Sequence, residues 1–495
     1  MLAFGLELDG AQHPAEMRTE PLPLRAQQRT STQPGSPLLL PESLSDLGNA
    51  ELFARTHANA FRHVEGIGWY VWQDYRWKRT GGEKAVIRAA GRMAQRIPEN
   101  DPTGQFPTRA LRKHRTRSMS TPGIKAFLVQ ATATEELSLE PDMLDGDPYA
   151  LCTPGGVVDL RTGLIHAPDP AKDLHSRSTS VTPAPMPTPR WGRFLADTFG
   201  GNDDAAKMVK FLQLLLGYSI TGDVGAQILP FLYGPGANGK SVLLDVAQQL
   251  LGDYADAAPP GFLMDRKFEE HSTELADLHG RRIFVCSELK PDDKWDEARV
   301  KYLTGGDTIK ARRMRQDFFT FTPTHKLWLL GNHKPEVSTG GFAFWRRIRL
   351  VPFTRVVPPE RKIDNLAELL VQEEGPGILQ WMVDGAITYL ATRDPLDGPA
   401  SVRLATQAYQ STEDHIGRFL RECCSQGGEA IKVEQGSLYA AYRDWCAGEE
   451  GVRISTARAF AGRIRTELNI PSPDAMPRSN GRRYYPGLAL LHDDE

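Results

Sequence analysis

Ile228-Leu-Pro-Phe-Leu-Tyr233-Gly234-Pro235-Gly236-Ala237-Asn238-Gly239-Lys240-Ser241, followed by Val-Leu-Leu-Asp-Val-Ala-Gln-Gln-Leu-Leu251, decides the fold. A short apolar run reads as a buried strand, the glycine-rich turn as a loop, and the segment after it as a helix. Residues 234–241 fit the pattern G-x-x-x-x-G-K-[ST]. The glycines let backbone N–H groups face inward around the β- and γ-phosphates of a nucleotide such as ATP. The helix start adds the positive end of its dipole. Lys240 supplies a point charge, and the Ser241 hydroxyl reaches Mg²⁺.

Working outward, two more apolar runs read as buried strands, Arg282-Ile-Phe-Val-Cys-Ser-Glu288 and His325-Lys-Leu-Trp-Leu-Leu-Gly-Asn332. Strand, loop, helix, strand, strand is the order of an α/β domain with a central parallel sheet. The first of these strands is expected beside the phosphate-loop strand, where Glu288 at its end becomes a water-activating base or a Mg²⁺ ligand. Asn332 either touches a phosphate and orients water or simply opens a turn before His333-Lys334-Pro335. Arg346 and Arg347 precede the apolar run Ile348–Phe353; they are candidates for a finger reaching a neighbouring subunit's ATP, or plain surface charge. Between Glu288 and Asn332, TIKAR and FFTFT read as two short strands around the turn RMRQD. They make a hairpin with a basic tip.

The 495 residues suggest about three domains, and the hydrophobic (40%) and charged (24%) fractions exclude a wholly disordered chain. Five scattered cysteines form no zinc spacing and point to reduced thiols in a cytoplasm. The start carries no basic signal-peptide region, and no apolar run approaches a membrane span. A net charge of −3 leaves nucleic-acid binding to local basic patches. Residues 1–44 read as a disordered, Pro- and Gln-rich leader, and 45–190 as an α+β unit ending in a linker, TPAPMPTPR. Residues 191–360 form the phosphate-loop core, 361–412 a stretch of helices, and 413–495 two or three helices with an Asn-Gly hairpin, the texture of a winged helix. Arg109–Arg117 reads as a solvated helix face. Arg458, Arg463, Arg465, Arg482 and Arg483 in the tail fit DNA binding and protein docking equally. Asp145-Gly-Asp147 reads as a loop rather than a metal pair.

GPGANGKS, IFVCSE, LTGGDTIKARRMRQ, LWLLGNHKP and FWRRIRLVPF occur in the order found in superfamily 3 helicases, and the chain resembles the phage and plasmid branch related to the poxvirus primase-helicase. GNAELFA, WYVWQDYRW, PYALCTPGGVVDLRTG, EEGPGILQWMVDGA and GRRYYPGLAL agree with that branch, so the resemblance runs over roughly residues 46–490. It implies an AAA+-like ATPase core behind a helicase-associated domain, a ring hexamer, and ATP-driven translocation on single-stranded and forked DNA. Gly234, Pro235, Gly236, Ala237, Asn238, Gly239, Lys240 and Ser241 then bind nucleotide, with Ser241 and Glu288 on Mg²⁺. Glu288 is the Walker B acid, Asn332 the sensor, and Arg347 the finger in trans with Arg346 as understudy. The hairpin grips DNA through Lys310, Arg312, Arg313 and Arg315. About 45 residues ahead of the helicase-associated region leave no room for a polymerase fold, so a separate primase or polymerase is an expected partner, in a bacterial host cytoplasm. An ATP-switched origin-binding or loader protein that does not unwind is the alternative function.

Overall fold

A computed structural model describes residues 39–266, 272–287, 289–314, 318–338, 340–428, 431–449 and 454–491. Glu288 and Arg315 lie outside these residues, as does most of the expected leader. Residues just before the expected end of that leader already pack. Leu39 is buried in the N-terminal core, and Glu42 pairs with Arg55.

The protein is mixed α/β. Its centre is a parallel sheet of five strands in the spatial order Ile348–Pro352, Leu229–Tyr233, Lys326–Gly331, Ile283–Cys286, Ala255–Ala257. The inner strands are largely apolar because both faces are covered. Side chains alternate between two cores. Ile283, Val285 and Trp328 face one core with the helices Asp203–Ile220, Lys240–Leu251 and Leu366–Thr392. Phe284, Cys286, Leu327 and Leu329 face the other, with Trp295, Phe344 and Tyr409. The strand order corrects one expectation. Ile283–Cys286 does not adjoin the phosphate-loop strand, because Lys326–Gly331 lies between them. Local sequence marks a buried strand but carries no information about which parallel neighbour it takes.

One further expectation changes. The segment after Phe353 contains the long helix Leu366–Thr392, with Pro376 inside it. The Pro376 carbonyl accepts from Ala184 N (3.1 Å), and the buried Glu374 carboxylate accepts from Arg190 N (2.8 Å) and Trp191 N (2.9 Å). Glu374 thereby caps the helix Pro189–Phe199. The TPAPMPTPR stretch is consequently a strap seated on the long helix rather than a free linker.

Ahead of the core, the helix Asp46–His57 and the antiparallel strands Phe61–Val64, Gly68–Gln73 and Arg76–Lys78 build an α+β unit with its own buried cluster around Phe53, Trp69 and Phe127. The Arg109–Arg117 run lies on the helix Thr108–Ser118, which buries Leu111 and His114 and pairs Arg115 with Glu99 and Arg117 with Asp46. The small sheet Ala150–Thr153, Gly156–Asp159, Ile165–His166 shares the central core through Leu151 and Val158. Asp145 is tied into a loop by Ser176 N (2.9 Å) and Arg177 N (3.1 Å). At the other end, the helices His415–Cys423, Gln435–Gly448 and Ala457–Glu467 close over Phe419, Tyr442, Phe460 and Tyr485. A hairpin of Arg478–Ser479 with Arg482–Pro486 turns at Asn480-Gly481, both in left-handed conformation. Among the described residues no helix is long and apolar enough to cross a membrane.

Candidate functional site

At the carboxyl end of the strand Leu229–Tyr233 the chain turns sharply and enters the helix Lys240–Leu251. Gly234 is in close backbone contact: a Cβ there would stand 2.0 Å from the Phe353 carbonyl oxygen. Gly239, at φ +86°, holds the left-handed conformation that aims the following N–H groups into the loop. Those first-turn N–H groups have no acceptor within the helix. Ala237 also adopts positive φ (56°), and its carbonyl accepts from Val357 N (2.8 Å). Asn238 is buried, and its amide donates to the Phe353 carbonyl (2.8 Å). Two points on the segment after Ile348–Pro352 thus clamp the loop from outside.

Lys240 is 4% exposed. Its Nζ donates to the carbonyls of Gly234 (2.7 Å) and Pro235 (2.8 Å) and to Asn238 Oδ1 (2.9 Å). Burial lowers its pKa from the ordinary lysine value. Ser241 is exposed at the mouth. A cavity of about 400 Å³ opens here, lined by the loop from Gly236 to Val242 and by Ser287, Leu289, Gly331, Asn332 and His333. The structure therefore brings Lys240, Ser241 and Asn332 to one cavity, whose lining also includes Ser287 and Leu289. A concave space with one buried cation, an exposed hydroxyl and a helix start offers hydrogen-bond donors to an anionic group.

The two arginines divide. Arg347 is 5% exposed: Nε donates to Thr304 Oγ1 (2.8 Å), and the guanidinium also reaches the Ala343 carbonyl and Gln227 (3.4 Å). Its side chain is held within its own protomer. Arg346 is exposed, with one contact to Gln227.

The expected hairpin forms, Ile309–Arg312 against Phe318–Phe321, with Arg312 opposite Phe318. One face buries Ile309, Ala311, Phe319 and Phe321 in the core; the other exposes Lys310, Arg312, Phe318 and Thr320. Arg313, expected at the tip, has a half-buried guanidinium whose pKa is lowered mainly by burial. Its Nε is buried without a hydrogen-bond partner. Met314 projects, 80% exposed. In the tail, Arg463 pairs with Asp414 and Glu467, Arg482 with Glu434 and Arg483 with Asp474, so much of the basic charge noted there is locally balanced.

The sequence reading missed the role of Asn238, which holds both Lys240 and the Phe353 carbonyl, and missed Phe318. The phase of FFTF carried a signal for the second: period-two alternation must leave one aromatic of that strand outside.

Fold and site together define a mixed α/β protein whose phosphate-loop sequence heads a central parallel sheet. The family described as "D5 N terminal like" matches residues 50–200, and a "Family of unknown function (DUF5906)" matches 232–347. "Putative helicase L207/L206" of Acanthamoeba polyphaga mimivirus is 32% identical over 148 residues, 30% of this chain and 15% of that one. "Putative helicase 022R" of Frog virus 3 is 27% identical over 244 residues, 44% and 24% of the two chains. "Putative primase C962R" of African swine fever virus is 20% identical over 386 residues, 71% and 38% of the two chains. The chain thus spans 15–38% of the length of these curated relatives. The solved apo structure of the NrS-1 C terminal region shares the fold, with a TM-score of 0.50 at 11% identity, covering 90% of this chain and all of that one. These matches agree with the resemblance to phage and viral primase-helicases.

Proposed function

We propose that this chain is the ATP-driven helicase engine of a phage or plasmid replication apparatus, working as a ring hexamer on single-stranded and forked DNA. The observation that carries the reading is the convergence of Lys240, Ser241 and Asn332 on one cavity at the strand ends. Lys240 exchanges its loop carbonyl partners for phosphate oxygens, and the loop N–H groups from Gly236 to Ser241 follow the phosphate chain. Ser241 and Glu288 hold Mg²⁺, which when bound offsets charge on the transferring phosphoryl group. Glu288 orients or deprotonates the attacking water, and Asn332 senses the terminal phosphate. The sheet order also supports an AAA+-like core, since a polar-ended strand lies between the phosphate-loop strand and the one leading to Glu288.

In this reading the trans role passes from Arg347 to Arg346. An exposed guanidinium at the protomer surface is free to reach a neighbour's phosphates; one held by Thr304 and Ala343 is not. Lys310 and Arg312 on the open hairpin face contact the DNA backbone, with Arg313 and Arg315 beside them. The C-terminal winged-helix-like unit and a separate primase or polymerase complete the machinery. The test pairs Lys240→Ala with Glu288→Gln. The first loses nucleotide binding and hydrolysis, whereas the second binds nucleotide and fails to turn over. Normal ATP hydrolysis by a folded Lys240→Ala protein overturns the assignment.

A further inference from the structure

The exposed hairpin face has a composition that phosphate binding alone does not explain. Phe318 is 51% exposed on a strand whose other aromatics, Phe319 and Phe321, are buried. Lys310 Nζ stands 5.0 Å from its ring centroid and the Arg312 guanidinium carbon 5.1 Å. Both cations come from the paired strand, and half of the ring's surface stays open.

The surroundings specify what the ring faces. Lys310, Phe318, Phe319 and Thr320 form one wall of a cavity of about 390 Å³; Glu65, Gly66, Glu140, Pro141 and Asp142 of the N-terminal unit form the other. Three carboxylates opposite one lysine repel phosphate. They accept hydrogen bonds from the ring N–H and exocyclic amines of nucleobases. A half-exposed aromatic ring with hydrogen-bond acceptors across from it suits a base, and the cations Lys310 and Arg312 suit the backbone that carries it.

From this geometry we infer that the space between the hairpin and the N-terminal unit is a nucleobase site, in which one base of a bound single strand stacks on Phe318. The inference rests on the DNA-binding reading above and extends it. The strand is held through a base as well as through phosphates, and the N-terminal unit supplies one wall of the grip.

The experiment uses the full chain and two labelled strands of equal length, one of thymidines and one of abasic sugar-phosphate, with binding followed by anisotropy over a salt series. Stacking on an aromatic adds roughly 5- to 150-fold per base, so the wild type should prefer the base-bearing strand by about tenfold or more. Phe318→Ala should remove that preference and leave the slope of log affinity against log salt unchanged. Phe318→Trp should keep both, which also guards against misfolding as the cause. An undiminished preference in folded Phe318→Ala overturns the nucleobase site while leaving the DNA reading standing. A wild type that binds neither strand overturns both.

Discussion

The phosphate loop and the hairpin carry the two halves of the proposed activity, and they are built in opposite ways. The loop is backbone held from outside: Phe353 and Val357 clamp it, Asn238 and Lys240 are buried, and two glycines supply conformations no other residue takes easily. The hairpin is a ribbon whose buried face is ordinary core and whose working face is four exposed side chains. Function in the first is a shape that fails as a unit. In the second it is a sum of contacts that fail one at a time.

Several substitutions sharpen that contrast. Lys240→Ala has the largest expected effect, abolishing ATP hydrolysis. It also leaves the Asn238 oxygen and two carbonyls without their charged donor, at about 1–3 kcal/mol, measurable by denaturant unfolding. Next comes the arginine pair. Arg346→Ala should bind ATP yet hydrolyse it about 10³-fold more slowly, the order found for arginine fingers, with stability unchanged. Mixed with Glu288→Gln protomers it should regain part of its activity, because some interfaces then hold both intact groups. Arg347→Ala should instead lose about 1–3 kcal/mol of stability through the buried Thr304 and Ala343 groups it leaves behind. A stable Arg347→Ala protein with a hydrolysis defect that mixing repairs would return the finger to Arg347.

Glu374→Ala, remote from both regions, tests whether the strap matters to the loop's scaffold. Uncapping the helix Pro189–Phe199 should cost about 0.5–2 kcal/mol in chemical denaturation and leave nucleotide affinity in place. The smallest effect belongs to the hairpin. Arg312→Ala should lower the salt slope of single-strand binding by about 0.7, the value for one phosphate contact, with basal ATP hydrolysis unaltered. An unchanged slope would mean that the exposed face of the ribbon does not touch phosphate.

What the sequence disclosed follows the same division. The loop, its strand and its helix were legible because Gly234, Gly239, Lys240 and Ser241 occupy fixed spacings for local reasons. The hairpin was legible as two alternating runs around a polar turn. The order of strands was not, because parallel pairing is decided by crossovers that leave no local mark, and Lys326–Gly331 slips between its neighbours unannounced. Which of Arg346 and Arg347 is buried was illegible for a similar reason: adjacent arginines differ in which one finds Thr304, and that partner is 43 residues away.

The central claim is that hydrolysis at the loop moves DNA past the hairpin. The most direct measurement is strand displacement on a forked duplex, with ATP turnover followed in the same reaction for the wild type and for Lys310→Ala/Arg312→Ala. The account predicts ATP-dependent displacement by the wild type. In the double variant, displacement and DNA-stimulated turnover should fall together while basal turnover persists. Wild-type protein that hydrolyses ATP and binds the fork without displacing the strand would contradict the claim and favour an ATP-switched loader.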